Sequence, residues 1–278
     1  MLETVSEHRA FGGTQGFYTH ASAATGTTMR FAVYQPPQAR RGPVPVLFFL
    51  AGLTATEETF MIKAGAQRLA AEYGLMLVSC DTSPRQTGID GATKDWDFGE
   101  GAGFYLDATE APWSRHFRME TWLTQELREL IIASFPAVAS RIGIFGHSMG
   151  GHGALTLALR HPDLYRSVSA FAPICAPSLC PWGEKAFGGY LGEERSLWRG
   201  HDATALVEDG HRCPPILIDQ GLDDSFLAVQ LHPERFEQVC ADGQPLTLRR
   251  HAGYDHGYYF ISTFMADHLA HHAQHLSA

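Results

Sequence analysis

The stretch "IFGHSMGGHG", residues 144–153, sets one serine among four glycines. Gly146, Ser148 and Gly150 fit the pattern Gly-x-Ser-x-Gly, with the apolar run "RIGIF" before it and the helix-forming run "GGHGALTLALRH" after it. A strand that turns this sharply into a helix has no room for side chains two residues either side of the serine, and the turn lifts the hydroxyl above the sheet. The helix N-terminus favours negative charge that develops there, and the amide of Met149 is the natural donor to an oxyanion. The chemistry these residues can do is acyl transfer through a serine nucleophile.

A serine hydroxyl needs a base, and the base needs an orienting acid, in the chain order Ser, Asp/Glu, His. The acid is expected in "GLDDSF", directly after the apolar strand "PILIDQG". The spacing Gly221-x-x-Asp224 favours Asp224; Asp223 is the second choice, and Asp219 falls inside the strand as a structural group. The histidine is expected in the loop after the last strand, where "HAGYDHGYYF" offers His256, with His251 still in strand-like sequence. His147 and His152 flank the serine and are read as packing or orienting groups, and His268, His271, His272 and His275, at helical spacing, as a polar helix face in preference to an adventitious metal site. The second oxyanion donor is expected from "FFLAGLTATEETF", where Gly52 allows close approach, Leu53 supplies the amide and Thr56 caps the next helix.

Positioning such groups takes a sheet with its strands aligned. The apolar runs "PVLFFLAG", "GLMLVSC", "RIGIFG", "RSVSAFAP" and "PPILIDQG" alternate with helical segments starting near Glu57, Met119, Met149, Pro233 and Tyr258, and "PLTLRRHAG" gives a last, more polar strand. Near-continuous apolar strands between helices predict a mostly parallel sheet covered on both faces. "GFYTH" and "MRFAVYQP" predict antiparallel strands at its N-terminal edge. Two long segments, about 81–118 and 173–202, read as irregular loops leaving the carboxyl ends of strands, where open α/β sheets place their ligands. No repeat or linker divides the chain, so one α/β domain over 1–278 is expected.

The composition excludes several classes. A formal charge of -9 disfavours nucleic acid, which normally meets a basic surface. No apolar run reaches the roughly 18 to 20 residues of a membrane span. The N-terminus has no signal-peptide pattern, and five scattered cysteines form neither a disulfide framework nor a zinc motif, so a reducing cytoplasm is expected. Nothing calls for a metal or an organic cofactor.

The blocks "LAGLTATEETF", "DTSPR", "WDFGEGAGFYLDATEAPW", "IFGHSMGGHGAL", "SVSAFAPICAPSLCPWGEKAFGGYLG", "ILIDQGLDDSFL" and "GYDHGYYFISTFMADHLAHHA" resemble the S-formylglutathione hydrolase (esterase D) family from about Phe11 to the C-terminus. The resemblance implies an α/β-hydrolase fold, a cytoplasmic homodimer and hydrolysis of S-formylglutathione to formate and glutathione in formaldehyde detoxification. It places a triad on Ser148, Asp224 and His256, oxyanion donors on Leu53 and Met149, and Trp182 beside the acyl pocket. Many members carry "LTCTE" where this chain has "LTATE" with Ala55, so sensitivity to thiol-alkylating reagents is not carried over. Lys63, Arg85, Lys94 and Lys185 are the cations considered for the glutathione carboxylates, with solvated surface charge as the plainer reading of each. Trp96, Phe98, Phe104 and Tyr105 read as loop packing. The rival readings are a general or feruloyl-type carboxylesterase, an acyltransferase, and a catalytically dead binding protein, the last opposed by the presence of all three triad residues.

Overall fold

The computed structural model describes residues 2–277. Nine strands form one sheet: β1 (Leu2–Ala10), β2 (Gly13–Ala21), β3 (Thr28–Gln35), β4 (Val44–Leu50), β5 (Met76–Cys80), β6 (Ala137–His147), β7 (Ser167–Phe171), β8 (Ile216–Gly221) and β9 (Leu246–His251). Their order is β1-β2-β3-β5-β4-β6-β7-β8-β9. The first three strands and the β3–β5 pair are antiparallel, and the rest of the sheet is parallel.

The helices are α1 (Glu57–Lys63), α2 (Ala66–Tyr73), α3 (Met119–Thr121), α4 (Arg128–Ser134), α5 (Met149–Arg160), α6 (Pro181–Leu191), α7 (Arg195–Trp198), α8 (Ala203–Glu208), α9 (Pro233–Cys240) and α10 (Tyr258–Leu276), with a π-helical turn joining α3 to α4. Strand side chains alternate between two helical layers. Phe145 of β6 packs against Phe49 and against Phe60 of α1, and Ser169 of β7 meets His272 of α10. Ala170, between Ser169 and Phe171, instead faces Gly151 of α5. Because both faces are covered, β5, β7 and β8 are buried along their whole length, and β4 and β6 are buried where they approach the site. No helix among the described residues is long and apolar enough to cross a membrane.

β4 runs through α1 and α2 back to β5, whereas β6 runs through α5 outward to β7. The loops after β4 and β6 therefore diverge at adjacent strand ends and open a crevice there, at the point where strand order reverses.

Three features differ from the sequence reading. β1 was not expected, because "LETVSEHRA" is an exposed edge strand with little apolar alternation. A two-residue turn at Phe11 (φ 47°) and Gly12 (φ 77°) sets its pairing with β2. Segment 173–202 is not irregular: it contains α6 and α7. The glycines in "PWGEKAFGGYL" lower helix propensity, and buried Trp182, Ala186, Phe187, Tyr190 and Leu191 supply the packing that overrides it. Finally, the histidines of α10 do not form a solvated face. His268 and His272 are fully buried, because Ser167, Ser169 and Asp219 on the sheet offer them partners.

Candidate active site

Ser148 links β6 to α5 at φ 57° and ψ -120°, a conformation that costs a non-glycine residue about 1–3 kcal/mol. The fold holds it there: the Ser148 amide donates to the Phe171 carbonyl at 3.0 Å, and the Ser148 carbonyl accepts from the His152 amide at 2.9 Å. The glycines of the motif are enforced by contact. A Cβ on Gly150 would overlap the Leu50 carbonyl, and one on Gly146 would overlap the Gly150 carbonyl. The elbow is thus packed directly onto the end of β4.

Asp224 and His256 arrive on the loops after β8 and β9. His256 Nδ1 lies 2.6 Å from Asp224 Oδ2. A carboxylate only accepts, so Nδ1 carries the proton and Nε2 is left free to take one. Asp224 is buried, and Oδ1 accepts from the Phe226 amide at 2.8 Å while Oδ2 also accepts from Gln220 Nε2 at 3.2 Å. Asp223 does not reach the histidine; its carboxylate holds the Gly253 amide at 3.3 Å. Asp219 is a structural group, gripped by Arg249 through both oxygens and by His251 and His268, which together hold its carboxyl well below the usual range despite its burial.

Ser148 and His256 line one pocket of about 380 Å³ with Gly52, Leu53, His147, Trp182 and Phe226. Trp182 packs on Phe226 at 4.8 Å between ring centroids, and Phe226 sets its edge against His256 at 5.0 Å. His147 lies 4.5 Å from the His256 ring, and burial followed by that neighbour keeps it neutral, far below the usual histidine range. His152 does not enter the pocket; its Nε2 meets the Phe104 carbonyl at 3.2 Å. Among the described residues no group of three or more His, Cys, Asp or Glu is placed to hold a metal ion.

Leu53 sits on the loop after β4, and Met149 directly follows the serine turn after β6. Met149 is the first residue of α5, where amides lack intrahelical partners. The loop carrying Leu53 is braced by segment 81–118, a support not foreseen from sequence. Thr54, in the left-handed region at φ 67°, donates its amide to the Gly101 carbonyl at 2.9 Å. The Ala55 carbonyl accepts from Thr82 Oγ1 at 2.7 Å, and Tyr105 donates its hydroxyl to the Ala51 carbonyl at 2.8 Å. The two long segments also clasp each other: the Tyr190 hydroxyl donates to the Ala102 carbonyl at 2.8 Å and accepts from the Gly99 amide at 2.9 Å.

Of the cations considered for substrate, Arg85 is spent on Asp81 and Lys185 lies between Asp95 and Asp97, whereas Lys63 lines the pocket. Lys94 is exposed and does not line it. Trp96, expected to pack within its loop, is 56% exposed and forms one wall of the pocket edge-on to Trp182. A larger polar cleft of about 800 Å³ lies beside the start of α1, but its buried acids Glu57 and Asp81 are already matched by Arg30 and Arg85.

A strained serine at a strand-helix turn, an aspartate–histidine pair opening on the same pocket and a sheet of this order define an esterase of the α/β-hydrolase fold. The esterase family, described as "Putative esterase", matches residues 22–271. S-formylglutathione hydrolase of Mus musculus is 53% identical over 281 residues, covering 100% of this chain and 99% of its own, and that of Paracoccus denitrificans (strain Pd 1222) is 54% identical over 275 residues, covering 99% and 98%. A solved S-formylglutathione hydrolase from Agrobacterium tumefaciens superposes with a TM-score of 0.96 at 52% identity, covering 98% of this chain and 99% of that one. The chain belongs to the S-formylglutathione hydrolase family.

Proposed function

We propose that this chain hydrolyses S-formylglutathione to formate and glutathione, with Ser148 as nucleophile, His256 as base, Asp224 as its orienting acid and the Leu53 and Met149 amides as the oxyanion hole. The observation that carries the assignment is the Asp224–His256 bond of 2.6 Å opening onto the pocket that holds the strained Ser148. Full-length relatives of that activity at 53% and 54% identity support the substrate, and they do not favour a general or feruloyl-type carboxylesterase.

In the acylation step Ser148 Oγ bonds to the formyl carbon while its proton passes to His256 Nε2. The carbonyl oxygen becomes an oxyanion held by the two amides. The C–S bond then breaks, and glutathione leaves as a thiolate that takes the proton from His256. Water next attacks the formyl-serine, giving its proton to His256, and the collapse of that intermediate releases formate and restores Ser148. Asp224 holds the imidazole in the required tautomer and stabilises its cation. Trp182 and Phe226 narrow the acyl end of the pocket and favour a small acyl group.

We further propose one domain over 1–278, supported by the single sheet and one contiguous core, with 81–118 and 173–202 as its caps. A cytoplasmic setting is supported by five free cysteines, and a homodimer by the family resemblance. The mechanism is tested by quenching the enzyme in acid during turnover and locating the formyl group by peptide mass spectrometry. A formylated Ser148 supports it; a formyl group on any other residue overturns it.

A further inference from the structure

The pocket beside Ser148 has one cation in its lining, Lys63, at the last position of α1. The nearby cations are neutralised within the fold: Arg85 by Asp81, Arg30 by Glu57, and Lys185 by Asp95 and Asp97. Lys63 has no such partner among the described residues. Its ammonium instead lies 5.7 Å from the centre of the Tyr258 ring. Tyr258 opens α10, lines the same pocket and presents a buried hydroxyl that has no hydrogen-bond partner in the protein.

We propose that Lys63 and the Tyr258 hydroxyl form a subsite for a carboxylate of the glutathione moiety, an inference that rests on the hydrolase reading given above. A buried hydroxyl without a partner is unfavourable, and an acceptor on the ligand relieves it. Burial raises the Tyr258 pKa, so the group stays an O–H donor at neutral pH. An ammonium over the same ring, 5.7 Å from its centre, makes an anion the fitting acceptor, because charge-assisted bonds are the strong ones. The substrate is bound to the reacting carbon through sulfur and carries both of its carboxylates on the same short tripeptide, so a carboxylate site in the lining that holds Ser148 discriminates it from an uncharged ester. The alternative role of Lys63 is to balance the C-terminal dipole of α1, which would affect stability and not substrate choice.

The test compares wild type, K63M, K63R and Y258F on S-formylglutathione and on S-formyl-N-acetylcysteamine, a thioester without carboxylates. The expected result for K63M is a rise of about tenfold in KM for S-formylglutathione with a much smaller change in kcat, so that the kcat/KM preference for the charged thioester falls about tenfold. K63R recovers most of that preference, and Y258F loses about threefold of it. A preference unchanged in K63M, with the variant folded by circular dichroism, overturns the subsite. Equal loss on both thioesters also overturns it, since that pattern marks a general effect on the pocket. Wild-type enzyme that does not turn over S-formylglutathione overturns the hydrolase reading itself, and the subsite with it.

Discussion

Asp224 Oδ2 lies 2.6 Å from His256 Nδ1, while Asp223, one residue earlier, turns away to the Gly253 amide. Replacing Asp224 with Asn allows the opposite histidine tautomer and removes the charge that balances the imidazolium. kcat is expected to fall about 10³–10⁴-fold, by analogy with the same change in serine proteases. Asp223→Asn is expected to stay within about threefold of wild type, as an exposed loop substitution. Steady-state kinetics of the two variants settles which aspartate acts: a large loss at Asp223 and none at Asp224 would reassign the acid.

Gln220 shares that carboxylate, donating to Asp224 Oδ2 at 3.2 Å and to the Gly221 carbonyl at 3.0 Å. Gln220→Leu removes one donor to the carboxylate and one to the Gly221 carbonyl, so Asp224 is held less firmly against His256. kcat is expected to fall about threefold to tenfold with the KM little changed, by steady-state kinetics. A loss of stability with an unchanged kcat would make Gln220 a packing residue only.

Trp182 is 6% exposed, with its ring against Phe226 and its amide donating to Gln230 Oε1 at 3.1 Å. Trp182→Ala keeps that backbone bond and empties the part of the pocket walled by Trp182 and Phe226, the proposed acyl end. kcat/KM for p-nitrophenyl butyrate relative to acetate is expected to rise about tenfold. An unchanged chain-length preference would remove Trp182 from acyl selection.

Buried and half-buried histidines set the acid stability. Burial lowers His152 to about 3, and His201 and His271 to about 4; burial also pushes His147 and His272 well below the ordinary 6.5. The unfolded chain therefore binds protons near pH 6.5 that the folded one refuses, so stability is present above that pH and is lost as the pH falls from 6.5 towards 4. Glu57 and Asp202, whose pKa values burial raises, oppose part of this loss. The urea midpoint is expected to drop steadily across that window, with more than one proton taken up on unfolding. A flat midpoint down to pH 5 would contradict the burial of these groups.

The meeting of the site residues at one pocket was legible because their carriers are buried strands. "PVLFFLAG", "RIGIFG" and "PPILIDQG" are apolar without alternation, and each ends just before the residues that line the pocket or hold His256: Gly52 and Leu53, Ser148, Asp224. Elements whose order comes from partners distant in sequence were not legible. α6 forms around Trp182, Phe187 and Tyr190 despite its glycines, and His268 is buried only because β7 and β8 bring Ser169 and Asp219 to it. Arg85 and Lys63 look alike in sequence; only the loop conformation that folds Asp81 onto Arg85 separates a neutralised cation from one facing the pocket.

The central claim is tested most directly by kcat/KM for S-formylglutathione against p-nitrophenyl acetate, measured on wild type and Ser148→Ala. The expected result is a preference for the thioester of at least about a hundredfold, with both activities lost in Ser148→Ala. A preference for the simple ester would contradict the substrate, and thioester hydrolysis that survives Ser148→Ala would contradict the mechanism.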